Sequence, residues 1–123
     1  MSVSSRIIVG LTVEFGTKLT AKDFEKCHAL LDKHPEIDDF TMEELDGNLV
    51  FIYDGMSSQY ARLVKVEKCT SGHIGHDSKF IELPMPGKFN PALIAKMSEL
   101  YKEYTGEDLS PKQIKYGMWT QWY

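Results

Sequence analysis

Residues 6–15 alternate without interruption. Ile7, Val9, Leu11, Val13 and Phe15 fall on one side, and Ile8, Gly10, Thr12 and Glu14 on the other. Successive side chains of a strand point to opposite faces, so this period of two commits the segment to a β-strand with at least one buried face. Gly16 and Thr17 end the pattern. A strand of this kind needs a sheet to join and a layer to cover it, and the rest of the chain is read for both.

The covering layer is announced by four helix-start signatures. Thr20 with Asp23, flanked by Leu19 and Phe24, has the spacing of a capping box and a hydrophobic staple. It predicts a helix over 21–34, with Phe24, Cys27, Leu30, Leu31 and His34 on one face and Pro35 as the stop. Asn90 before Pro91, with Phe89 and Ile94 at staple spacing, opens a second helix to about Thr105, closed by Gly106. Thr41 with Glu44 predicts a short helical turn. Ser110 with Gln113, followed by Pro111, predicts a final short helix.

Three further strands are predicted. Residues 49–53 form an apolar run bounded by Asp46-Gly47 and Asp54-Gly55, pairs that favour tight turns. Residues 59–69 alternate but carry many charges, which suits a wet face or an edge. Residues 79–83 end at Pro84. The expected fold is a single α+β domain over 1–123. Its mostly antiparallel sheet has about four strands, with two main helices and one or two short helices on one face.

Composition narrows the function classes. The 123 residues are 42% hydrophobic and 26% charged, ordinary for a folded domain. No apolar run approaches a membrane span, and residues 1–5 lack the pattern of a signal peptide. Two cysteines, Cys27 and Cys69, suit a reduced, cytoplasmic setting. Residues 1–58 carry eleven acids and five bases, and the rest seven acids and nine bases. The acidic run Glu36, Asp38, Asp39, Glu43, Glu44 and Asp46 repels phosphates, which argues against nucleic acid and favours a basic protein surface.

Two segments are candidates for function. In 69–79, Gly72 and Gly75 allow backbone amides to converge on an anion. Ser71, His73, His76, Ser78 and Lys79 could add donors for a small anionic ligand. The same segment holds Cys69, His73, His76 and Asp77, ligand types that zinc accepts, although their spacing matches no metal motif. The second candidate is the aromatic end, Tyr116, Trp119, Trp122 and Tyr123. Chain ends fray unless tied down, so these rings should pack on the sheet, on a protein partner or on a second copy of the chain.

Together these features describe a small non-catalytic binding protein without a cofactor. It would occupy a macromolecular partner or sequester a small anionic, nucleotide-like ligand, as a virus-encoded inhibitor does. The alternative is a small metal-assisted hydrolase or phosphoesterase centred on 69–79.

Overall fold

A computed structural model describes residues 4–55 and 59–123. The elements run β1 (Ser5–Gly16), α1 (Ala21–Lys33), two 3-10 turns (Pro35–Ile37 and Asp39–Thr41), β2 (Leu49–Asp54), β3 (Tyr60–Ser71), β4 (Ile81–Glu82), α2 (Pro91–Thr105), a third 3-10 turn (Pro111–Gln113) and β5 (Ile114–Trp122). The five strands form one antiparallel sheet in the order β2-β3-β1-β5-β4. The fold is α+β, as expected, with one strand more than the sequence suggested. No helix among the described residues is long and apolar enough to cross a membrane.

The alternation of β1 becomes two cores, one on each side of the sheet. Leu11, Val13 and Phe15 point at the helices and meet Cys27 and Leu30 of α1 and Met97, Leu100, Tyr101 and Tyr104 of α2. Phe15 sits edge-on to both Phe51 and Tyr101 at ring separations of 5.3 and 5.4 Å. On the opposite side, Ile8 joins Val50, Ile52, Tyr60, Val64, Val66 and Trp119. Among the described residues no helix packs on this second core. Leu45 belongs to it, and Met42, Cys69 and Phe80 pack against it.

Both main helices begin where their caps place them. Thr20 accepts from the Asp23 amide while Asp23 accepts from the Thr20 amide. Asn90 accepts from the Ala92 amide, and Gly106 ends α2 at φ 79°. The Thr20 cap is exposed and local, so Thr20→Ala should cost about 1 kcal/mol, read as a parallel shift of the urea unfolding curve without a change in slope.

The final short helix is corrected to a strand. The Ser110–Gln113 capping box exists but opens only the 3-10 turn Pro111–Gln113. From Ile114 the chain pairs with β1 over its length, Val13 opposite Ile114 through Ser5 opposite Trp122. A cap satisfies the first amides of a turn and says nothing of how far the helix continues. Beyond it, Gly117 disfavours a helix, whereas the β-branched and aromatic residues of 114–122 suit a pleated, half-buried surface.

Three smaller corrections follow. The turn expected from Thr41 is replaced by the two earlier 3-10 turns, with Asp38 capping the second through the Phe40 amide. β3 is no edge strand, since it lies between β2 and β1. The strand expected over 79–83 shrinks to Ile81–Glu82.

A candidate anion pocket around Arg62

The charged residues of β3 are not all wet. Arg62 sits opposite Glu14 of β1 and Ile52 of β2, on the face of the second core. Its side chain is only 7% exposed. Nε donates to Glu14 Oε2 at 3.0 Å, and Nη1 donates to the Ser78 carbonyl at 3.0 Å. The guanidinium carbon lies 4.2 Å from the Tyr60 ring centre, 5.0 Å from that of Trp119 and 5.7 Å from that of Phe80. Removing a charge from water is costly unless it is paired and its donors are used. Arg62 is paired with Glu14 and uses two of its donors, and the three rings add cation–π attraction.

The rings are themselves fixed. Trp119 is fully buried and donates from Nε1 to the Tyr60 hydroxyl at 3.1 Å. Burial pushes the Tyr60 phenol up to about 12, so it stays a neutral hydroxyl at every physiological pH. Phe80 reaches its place because Gly117 has no side chain: a Cβ there would strike the Phe80 ring and the Ile81 carbonyl.

Glu14 is only half satisfied. Oε2 is held by Arg62, while Oε1 is buried without a hydrogen-bond partner. Burial raises the carboxyl above its ordinary value, against the pull of the Arg62 charge and hydrogen bond and of Lys115.

A cavity of about 440 Å³ opens beside this pair, lined by Thr12, Glu14, Arg62, Phe80, Lys112 and Lys115 among others. The topology assembles it. Thr12 and Lys115 are register partners on neighbouring strands, and the 3-10 turn before β5 presents Lys112 at the mouth. Lys115 lies 3.5 Å from the exposed Glu82, and Lys112 has no ion-pair partner among the described residues. Two lysines and one buried guanidinium therefore line the same cavity as the Glu14 carboxylate.

The residues singled out from the sequence are placed elsewhere, apart from Ser78 and Trp119, which both touch Arg62. The 72–78 loop wraps the sheet at β5. The Gly72 amide donates to the Ser5 carbonyl, the Ile74 amide to Thr120 Oγ1, and the Lys79 amide to Asp77 Oδ1. Three amides that could meet an anion are therefore taken by the protein. His73 stacks on Trp122 at 5.1 Å, while Ser71, Gly75, His76 and Lys79 are exposed. Ser78 is buried, and its carbonyl is the contact with Arg62. Burial raises the thiol of Cys69, and among the described residues no three His, Cys, Asp or Glu side chains gather as a metal group.

The terminal aromatics are divided by the strand that carries them. Trp119 lies in the core at Arg62. Tyr116 and Trp122 point to the opposite face, where the Tyr116 hydroxyl donates to Glu67. Tyr123 is 65% exposed, with the Arg6 guanidinium 5.0 Å from its ring centre. They form no single aromatic surface.

Glu14, Arg62 and Phe80 were not singled out from the sequence. One signal was present: a charge inside an apolar run, Arg62 between Tyr60-Ala61 and Leu63-Val64, and Glu14 between Val13 and Phe15. Each marks a buried charge that needs an opposite. No family model, curated protein or solved structure matches the chain.

Proposed function

We propose that the chain is a small non-catalytic binding protein that holds a small organic anion in the cavity beside Arg62. The observation that carries this reading is the guanidinium itself. It is locked by Glu14, the Ser78 carbonyl and three rings, and it lines a cavity whose rim bears Lys112 and Lys115. A donor fixed before the ligand arrives loses little freedom on binding, which is what a receptor for a small ligand requires. The volume lies within the usual range for small-molecule sites. The groups facing the cavity suit retention better than turnover, because its one carboxylate among the described residues is committed to Arg62.

Isothermal titration with inorganic pyrophosphate at low salt tests the reading. Replacing both rim lysines in Lys112→Ala/Lys115→Ala should weaken binding at least about tenfold, since each lost charge-assisted hydrogen bond is worth roughly 1.5–3 kcal/mol. Both side chains are exposed or near the surface, so the melting temperature should stay near that of the wild type. Equal affinity of the two proteins would exclude this cavity, and absence of any anion binding would end the proposal.

A further inference from the structure

Glu14 stands among the cations of the cavity and is hydrogen-bonded to one of them. Resting on the reading of the cavity as an anion site, we infer that the site takes up a proton together with its ligand, and that Glu14 is the group that receives it. The arrangement behind this is a half-satisfied carboxylate lining the same cavity as Arg62, Lys112 and Lys115.

The Arg62 guanidinium is withdrawn from water and needs a negative partner. Glu14 supplies that charge through a single bond, Nε to Oε2. A bound anion brings further negative charge to the same cavity. Acidic groups that share one partly dry site hold their last proton more tightly than either does alone. Glu14 is the one to accept it. Burial already raises its carboxyl above the ordinary value, and Oε1 has no donor to keep it ionised. Once protonated, Glu14 still offers an oxygen to Arg62 but no longer opposes the ligand, which becomes the counter-ion of the guanidinium. The proton comes from solvent, and the Glu14 side chain is 34% exposed although Oε1 itself is buried. The coupling acts through the field of the two charges, so the ligand need not touch Oε1.

The charged groups that face Glu14 are basic. Arg62 comes from β3, Lys115 from β5 and Lys112 from the turn before it, and the other described lining residues carry no charge. Glu82 of β4 is exposed and 3.5 Å from Lys115. No histidine among the described residues lines the cavity. Neutral Glu14 sets no negative charge beside the ligand. Affinity therefore rises as pH falls toward the raised carboxyl value, and by linkage each binding event draws protons from solution.

Titration calorimetry of the whole chain with ethane-1,2-disulfonate tests this, because that dianion keeps its charge from pH 8 to pH 5. Binding at pH 5 should be about fivefold or more tighter than at pH 8, the low end of coupling between two sites. At pH 6, titrations in buffers of different ionisation enthalpy should report net proton uptake. Glu14→Gln is neutral at every pH and should lose most of both effects. Its amide oxygen can still accept from Arg62. A wild type that takes up no protons overturns the inference whether or not the variant folds. Equal wild-type affinity at the two pH values also overturns it, as does an equal pH dependence in Glu14→Gln. If pyrophosphate binds and the disulfonate shows none of these effects, the inference falls and the anion site survives. If neither anion binds, both fall.

Discussion

Replacing Trp119 with alanine should remove about 3–5 kcal/mol of stability, the usual cost of deleting a large buried ring and leaving its cavity. The indole is fully buried and joins the second core to the Arg62 site. It packs against Tyr60 and Phe80 and donates to the Tyr60 hydroxyl. Its loss also strips one of three rings from a buried cation. Domains are stable by only about 5–15 kcal/mol, so the variant should sit near the edge of unfolding at 37 °C. Trp119→Phe keeps most of the packing and should lose clearly less. Urea unfolding followed by circular dichroism gives both values. A Trp119→Ala midpoint equal to that of the wild type would show that the second core does not depend on this ring.

Gly10→Ala should be comparably severe for a different reason. At Gly10 the register of β1 on β3 slips, with Val9 opposite Lys68 and Gly10 opposite Val66. The resulting bulge presses the two backbones together. A methyl group at Gly10 would lie 2.9 Å from the Lys65 carbonyl carbon and closer still to its oxygen. Backbone at the centre of a sheet cannot swing aside as a side-chain end can. The expected loss is about 3 kcal/mol or more, at the upper end of overpacking costs, with low soluble yield. Gly47→Ala is the informative contrast. Nothing lies within 4 Å of a Cβ there, and the cost is its φ of 81°, about 1 kcal/mol. Equal losses at the two sites would mean that close approach is not what requires glycine at position 10.

Local chemistry was the legible part of this chain. β1 declared itself because ten residues obey one period, and α1 and α2 because their caps, staples and apolar faces agree. All of these act within a few residues. β5 was hidden by its own neighbour: a true capping box at Ser110 stands directly before it, and nothing in a cap reports the helix's length. The pocket was hidden for another reason. Glu14 and Arg62 are 48 residues apart and meet only because β1 and β3 pair in one register. Lys115 joins them only because β5 lies on the other side of β1. Such a site exists in the pairing of strands and in no single stretch. The 69–79 segment attracted notice by composition, yet its amides serve to fasten a loop around the sheet.

The place of β5 has a consequence for how the molecule is made. β1 leaves the ribosome well before one of its two neighbours, residues 114–122. Helices can form locally as they emerge, whereas this pairing spans nearly the whole chain and closes a very large loop. Until Trp122 has cleared the exit tunnel, the central strand carries an open flank and Arg62 lacks one of its rings. The nascent protein therefore needs shelter at β1 until β5 has paired with it, and the cavity beside Arg62 is completed only then.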